Sequence, residues 1–595
     1  PACLQDIHDP RSRRYRYPFT TCAHCGPRYS IVLNLPYERQ STTMVDFSLC
    51  PECRREFHDP SNRRFHAETL ACPACGPELL LWDNQGKPLA SKEEAWQRAC
   101  TLIAGGDIVA VKGLGGFHLW VNALKAEAVQ RLRRQKHRPD KPFAVLFPNL
   151  QVLRAHCLLS SEEEQLLSSP AAPVVLVRKR NDTPIVAELA HGNPYLGAML
   201  PYTPLHHLMM ENLGFPVVAT SGNRSEEPLV YEEHQAINRL GNLADAFLIH
   251  NRPIKRPVDD SVVRIVNGKV LMLRRARGFV PTPLALSDSP DKYKNRPSIL
   301  AVGGHLKNTV SIMTGEQIIA SQHIGDLSSV EAFGQFERQV SDFLKLYDFV
   351  PQAIACDGHP DYYSTQWARK FGDQYRLPVM PVQHHHAHIA ACMAEHHLTG
   401  PVLGVAWDGA GYGPDGTLWG GEFLLCNDNG FARKAHLRPF RLPGGEICMR
   451  EPRRVALSLL YEIFGDGIGD MDLPPLQSLG SDSTRVLRAM IQREMNCPST
   501  SSIGRLFDGI SALIGLSQIN SFEGQAAMKL EFLADSSVTD LPSFSYHLPL
   551  LSSPCSPESL IVDWQPMIHH IVHHLLEGKD RDTIAWSFHR ALDRL

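Results

Sequence analysis

The 595-residue sequence contains no apolar run approaching the roughly 18 residues a membrane-spanning helix requires, and its N-terminus lacks the apolar core of a secretion signal. It also lacks an excess of charge of either sign. Sixty Lys and Arg stand against 63 Asp and Glu, a formal net charge of −3, which argues against wholesale binding of a polyanion. With 43% hydrophobic and 21% charged residues, the chain has the composition of neither a disordered polymer nor a fibre. These absences imply a soluble, cytoplasmic, multidomain protein of roughly three to five domains. What is abundant is cysteine: 15 residues, an odd number, seven of them within the first 75 positions. In a reducing compartment such a cluster indicates metal rather than disulfides.

The seven are Cys3, Cys22, Cys25, Cys50, Cys53, Cys72 and Cys75. Residues 1–27 shifted by 50 match residues 51–77 at eleven positions, among them Cys3/Cys53, Cys22/Cys72, Cys25/Cys75, the His-Asp-Pro at 8–10 and the Arg13-Arg14 pair. The second copy reads Cys50-x2-Cys53-x18-Cys72-x2-Cys75, two knuckles that wrap one tetrahedral zinc with four thiolates. By the repeat, the first copy lacks a cysteine one position before Pro1. The expectation is that Cys3, Cys22 and Cys25 are three of four ligands of a first zinc and that the fourth lies outside the chain. A closed four-thiolate site leaves no position for substrate, so both ions are structural. Arg11, Arg13, Arg14, Arg16, Arg54, Arg55, Arg63 and Arg64 could touch phosphate. Residues 1–80, however, hold ten Arg and nine Asp or Glu, and a structural or protein-docking role is the better reading.

From 90 to 285 the pattern predicts helices at 94–104 and 123–135 and strands at 108–112, 143–147, 174–177, 217–220, 246–249, 261–266 and 270–274, an α/β sheet domain. This stretch holds 24 basic and 18 acidic residues, so it is basic within an acidic protein. Lys112-Gly-Leu-Gly-Gly-Phe-His118 follows a strand; it reads equally as an anion-binding loop or a plain strand turn. Lys136-His-Arg138-Pro-Asp-Lys141 gathers cations between a helix and a strand, where a solvated charge cluster is the ordinary explanation. Thr203, within Pro-Tyr-Thr-Pro-Leu-His, and Ser221 and Asn223, within Thr-Ser-Gly-Asn, place polar groups at strand ends; Arg264, Arg274, Arg275 and Arg277 add positive charge. In this order the pieces resemble the YrdC-like family, in which a carboxylate-type substrate is joined to AMP with release of pyrophosphate. That resemblance implies that Lys136, Arg138, Ser221 and Asn223 contact substrate and nucleotide, with Lys112, His118, Lys141, Thr203, Arg264 and Arg274 around them.

A polar, Pro-rich linker at roughly 281–297 precedes a different pattern. Two strand–glycine turn–strand segments, around Gly304 to Asn308 and around Asp408 to Gly416, have turns that suit phosphate, Lys307 and Asn308 lying in the first. Between them, Gln383-His-His-His-Ala-His388 runs into a helix. His384 and His388, four apart, share one helix face and can grip one metal, with His385 and His386 pointing elsewhere; a lone pair at this spacing is more often solvated than ligated, but Asp408, where a strand enters a glycine-rich turn, offers a third ligand of oxygen type. Two His and a carboxylate suit Fe, Zn or Mn.

These residues resemble the ASKHA-fold carbamoyltransferases, TsaD-like proteins related to the enzyme that completes threonylcarbamoyladenosine on tRNA. His384, His388 and Asp408 match that family's metal positions. Pro443 to Glu446, Ser501 to Asp508 (including Gly504, Arg505 and Asp508) and Glu523 to Ala527 match segments of its carbamoyl-transferring branch. The fold is two-lobed; a later glycine turn and a second metal Asp are not found before Leu595, so the expectation is a domain truncated at its C-terminus.

A double four-cysteine module (1–85), a YrdC-like domain (90–285) and an ASKHA domain (296–595) resemble, in that order, the HypF family of carbamoyltransferases that mature [NiFe] hydrogenases. The family also has an acylphosphatase-like domain, expected upstream of this chain. The resemblance implies a relay. Carbamate from carbamoyl phosphate is activated with ATP and Mg2+ as carbamoyl adenylate, and the carbamoyl group passes to the C-terminal cysteine of the partner HypE, with no membrane or nucleic acid involved. The eight remaining cysteines, such as Cys100 and Cys356, read as core residues. The alternatives are O-carbamoylation of a small-molecule hydroxyl, which gives no reason for the cysteine module, and a zinc-dependent RNA binder.

Overall fold

Twelve strands between Leu79 and Arg274 form one mixed sheet. They are β1 (Leu79–Asp83), β2 (Pro88–Ser91), β3 (Val109–Lys112), β4 (Phe117–Asn122), β5 (Ala144–Leu146), β6 (Cys157–Leu158), β7 (Val174–Lys179), β8 (Tyr195–Met199), β9 (Val217–Ser221), β10 (Ala246–His250), β11 (Val262–Val266) and β12 (Lys269–Arg274). Their order is β12-β11-β7-β8-β5-β9-β4-β3-β10-β1-β2, with β6 paired to β7. The pairs β10–β3, β11–β7 and β5–β8 are parallel. The structure, a computed structural model, describes residues 2–224, 227–286, 296–427, 430–535, 544–554 and 558–595.

Helix Lys92–Gly105 shows why the sheet is covered. Glu93 and Glu94 sit in its first turn, Gly106 ends it in the left-handed conformation, and Ala95, Trp96, Ala99, Cys100 and Ile103 recur on one buried face. Each large apolar side chain so buried contributes about 1.5–3 kcal/mol. β4 is buried at all six positions, which places His118 in the sheet rather than in a loop. The Lys112–His118 segment is thus a strand turn, closed by Gly113 N–H donating to Gly116 O at 2.8 Å. Gly115 belongs there because a Cβ would lie 2.2 Å from Val258 O. Strands β4 and β8 escape the sequence pattern because glycine interrupts or precedes both. Gly197 in β8 lies beneath the Val174 side chain, where a Cβ would meet Cγ1 at 2.9 Å.

The chain packs as two units, and Pro297–Thr314 and Ile318–Gln352 cluster with Pro1–Pro283 in the first. An antiparallel pair, Ile299–Ala301 with Ser311–Thr314, and helix Val330–Leu346 therefore sit with the large sheet. Buried Arg256 ties them. Its Nη2 donates to Asp342 Oδ1 on that helix at 2.9 Å, its Nε to Asp342 Oδ2, and its Nη1 to the carbonyls of Tyr29 and Val32. Tyr29 Oη in turn donates to Gln322 Oε1 at 2.8 Å.

The second unit, chiefly Ala353–Leu595, holds a parallel pair (Ala353–Asp357 with Val379–Val382) and a seven-stranded sheet whose longest strands are Val402–Tyr412 and Leu418–Asn427. Helices Pro452–Phe464, Ile503–Leu513, Gln565–Leu576 and Arg581–Asp593 enclose an apolar core around Leu460, Leu506, Trp564 and Phe588. The last of these helices buries Ile584, Ala585, Phe588, Ala591 and Leu592 on one face.

Candidate functional site

The four sulfurs of Cys50, Cys53, Cys72 and Cys75 form a closed cluster, with Cys50–Cys72 and Cys72–Cys75 at 3.7 Å and Cys75–Cys53 at 3.6 Å. Disulfide sulfurs stand about 2.05 Å apart. Ligands about 2.3 Å from a tetrahedral zinc are spaced about 3.8 Å, so the donor set fits zinc. Cys3, Cys22 and Cys25 repeat the arrangement, with 3.7 Å between Cys22 and Cys25 and 3.6 Å between Cys25 and Cys3.

In the large sheet, helix Ala126–Lys136 ends at Lys136, whose Nζ donates to Ser221 O (2.6 Å), Asn223 O (2.8 Å) and Asn223 Oδ1 (2.7 Å). Ser221 Oγ donates to Asn223 Oδ1 at 2.8 Å. Arg138 folds back with Nε on Lys141 O at 3.1 Å and its guanidinium 5.0 Å from the Phe143 ring centroid. Burial, joined by Arg138 and Lys141, pulls the Lys136 ammonium down to about 7; burial with Arg133 and Arg274 pulls Arg138 down to about 10. Asp259 offsets these cations in part and pairs with Arg274 at 2.7 Å. Cations that depress one another are a preformed attraction for an anion. His323, from the segment after the linker, is half-buried beside the same group and held down to about 4, by burial first and then by Arg274.

Directly across the sheet from Ser221 stands His118 in β4, so the two side chains share one face. His118 Nε2 lies 3.2 Å from Asp260 Oδ2, and Arg277 Nε donates to Asp260 Oδ1 at 2.8 Å. Arg277 lies 3.5 Å from the Tyr202 ring centroid. Despite burial, Arg277 and His118 hold the Asp260 carboxyl far below the usual range.

In the second unit, Gln383 caps helix His384–Glu395 by accepting from His386 N–H at 2.8 Å. His384 Nε2 then lies 3.2 Å from His388 Nε2 and 3.1 Å from Asp408 Oδ2, and His388 Nε2 lies 3.7 Å from the same oxygen. Asp357, ending its strand, accepts from His384 Nδ1 at 2.7 Å. Burial opposes the charge on His384, but hydrogen bonds to Asp357 and Asp408 raise it to about 9. With Nδ1 engaged, Nε2 faces the other donors, and two nitrogens and an oxygen suit a divalent cation. His385 is fully buried with Nε2 3.9 Å from Asp408 Oδ2, so it faces the centre rather than pointing away as expected. Helix Ile503–Leu513 buttresses Asp408: Ser502 Oγ donates to Asp408 O at 3.0 Å and Gly409 O at 2.6 Å, and a Cβ on Gly504 would lie 2.9 Å from Gly409 Cα.

Residues 1–32 and 49–82 match the family described as HypF finger, residues 101–276 the family described as Telomere recombination, residues 294–395 the HypF Kae1-like domain, and residues 404–595 the second subdomain of a Kae1-like carbamoyltransferase domain. The carbamoyltransferase HypF of Synechocystis is 47% identical over all of this chain and 77% of its own length. That of Rhodobacter capsulatus is 42% identical over 91% of this chain and 72% of its own. The chain belongs to the HypF family. The crystal structure of T. kodakarensis HypF, 35% identical, superposes with a TM-score of 0.92 over all of this chain and 76% of that one. Full-length HypF solved in a phosphate- and nucleotide-bound form, 40% identical, gives 0.91 over 99% and 74%. As a HypF-family protein, the chain is an ATP-dependent carbamoyltransferase of hydrogenase maturation.

Among the sequence-predicted residues of this HypF-family chain, Lys136, Arg138, Lys141, Ser221, Asn223 and Arg274 converge. Lys112 is fully buried, its Nζ bonded to Glu233 and, at 3.1 Å, to the carbonyls of His250 and Arg252. Thr203 caps helix Pro204–Leu213, and Arg264 lies 4.5 Å from the Tyr195 ring centroid. Asn308 is buried and donates to Val302 O (2.8 Å) and Gly304 O (2.6 Å), next to Lys307 at positive φ. Arg505 and Asp508 pair at 3.0 Å within helix Ile503–Leu513, and Glu523 precedes the next helix. Of the cysteines outside the metal clusters, Cys100, Cys157, Cys356, Cys426, Cys448 and Cys497 are buried; Cys392 is exposed, a correction to the core reading, and Cys555 lies outside the described residues. Asp357 and Asp260 were missed, and Arg277 was read only as added positive charge, not as the partner of Asp260. Asp357 carried one signal, an acidic residue at the carboxyl end of a buried strand.

Proposed function

We propose that this chain activates carbamate, derived from carbamoyl phosphate, with ATP and Mg2+, and delivers the carbamoyl group to the C-terminal cysteine of HypE. The observation that carries the reading is the convergence of Lys136, Arg138, Lys141 and Arg274 around Ser221 and Asn223, in a chain that also holds the His384, His388 and Asp408 centre. In the first step a carbamate oxygen attacks the α-phosphorus and pyrophosphate leaves. Lys136, Arg138 and the neighbouring cations hold the anions together and stabilise the charge that builds on the phosphoryl oxygens.

In the second step the acceptor thiolate attacks the carbamoyl carbon, the bond to AMP breaks, and the thiol proton goes to solvent or base. A divalent Fe, Zn or Mn held by His384, His388 and Asp408 would supply Lewis-acid polarisation of the carbamoyl oxygen. Asp357 orients His384, and Ser502 fixes the backbone that carries Asp408. Two structural Zn2+ ions at the cysteine clusters hold the N-terminal module, which serves protein docking rather than nucleic acid. No helix among the described residues is long and apolar enough to cross a membrane, and the reading places the reaction in the cytoplasm. The test is carbamoyl phosphate-dependent ATP–pyrophosphate exchange, measured with and without a cysteine-ended acceptor. Exchange with acceptor carbamoylation supports the reading, and RNA binding without pyrophosphate turnover overturns it.

A further inference from the structure

The arginines of the cysteine repeat are placed crosswise. Arg13, in the first copy, directs Nη2 to Cys53 Sγ of the second at 3.2 Å, and Arg14 Nη2 approaches the same sulfur at 3.5 Å. Arg63, in the second copy, directs Nη1 to Cys3 Sγ of the first at 3.2 Å. The supporting contacts cross too. Glu56 takes Arg13 (2.9 Å) and Arg14 (2.5 Å), while Asp6, fifty positions earlier, takes Arg63 and Arg64. Arg14 Nε donates to Ala71 O at 2.9 Å, next to Cys72, and Arg64 Nε donates to Thr21 O at 3.1 Å, next to Cys22. Arg14 and Arg64 are almost wholly buried. Apart from the approach of Arg14 to Cys53, each contact maps onto its counterpart under the same 50-residue shift that relates the copies.

A closed four-thiolate zinc centre carries a formal charge of about −2, and N–H donors at the sulfurs offset it. We infer that Arg13 with Arg14, and Arg63 with Arg64, are crossed positioning residues, each repeat securing the metal centre of the other. These four arginines are thereby committed to thiolate and carboxylate.

The test loads the full chain with zinc, challenges it with a chelator, and follows alkylation of each cysteine by mass spectrometry. Arg13 and Arg63 are half-buried, so Arg13→Met and Arg63→Met are the variants of choice. Arg13→Met is expected to speed alkylation of Cys50, Cys53, Cys72 and Cys75 by about 10-fold and leave Cys3, Cys22 and Cys25 unchanged; Arg63→Met is expected to do the reverse. Acceleration in the repeat that carries the substitution, equal acceleration in both, or none overturns the inference. Cys100 and Cys157, buried outside the metal clusters, report global loosening. Should they also accelerate, Arg13→Lys and Arg63→Lys are judged by the same crossed pattern.

Discussion

Asp357 Oδ2 accepts a hydrogen bond from His384 Nδ1 at 2.7 Å and so aims Nε2 of that histidine at Asp408. Asp357→Asn weakens this orientation without removing a donor of the cluster. Divalent-metal affinity at the centre should fall by about 10–100-fold, read by metal titration, while ATP–pyrophosphate exchange stays at the parental rate. An unchanged affinity would separate Asp357 from the centre.

On the proposed reading, the two chemical steps draw on different residues. His384→Ala is expected to reduce carbamoyl transfer by at least about 100-fold and spare ATP–pyrophosphate exchange. Lys136→Ala should abolish exchange yet permit transfer from preformed carbamoyl adenylate. Loss of both activities in either variant counts against the division.

Asp508 is fully buried, and burial, opposed by Arg505, raises its carboxyl to about 6. A raised carboxyl binds its proton more tightly in the folded state, so stability from this group is present in acid and is lost as pH rises toward and through about 6. Asp508→Asn keeps the group neutral. Its melting temperature relative to the parent should therefore climb between pH 4 and pH 7, read by calorimetry; a flat difference would contradict the assignment.

Buried Arg256 and half-buried Asp342 form a bidentate pair in the first unit. Asp342→Ala leaves an uncompensated guanidinium, a change that costs about 3–5 kcal/mol when fully buried. Hydrogen–deuterium exchange in helix Val330–Leu346 should rise by at least 10-fold, with exchange in helix Arg581–Asp593 unaltered.

What was legible in the sequence was local. The C-x2-C knuckles, the His-x3-His pair and the alternating strands of the sheet each announce themselves within a few residues, since ligand spacing and strand period are short-range properties. Asp408 could be added because a glycine-rich turn follows it. Asp357, 27 positions before His384, and the Asp260 and Arg277 that flank His118 carry no such spacing, and only the folded chain brings them together. The arginine pairs of the repeat were legible as repeated residues but not as partners, because a repeat says what recurs and not which copy it touches. The glycines around 113–116, whose pattern reads equally as an anion-binding loop or a strand turn, serve close backbone packing in the fold.

The pair of Arg256 with Asp342 bears on how such a protein could have been assembled from ancestral modules. Family likeness divides the chain near the linker, with the HypF Kae1-like match beginning at 294, yet Pro297–Thr314 and Ile318–Gln352 cluster with the preceding residues. Exchange of the segment carrying Asp342 for one without that carboxylate would leave the buried Arg256 guanidinium with only the carbonyls of Tyr29 and Val32, and so strand a charge.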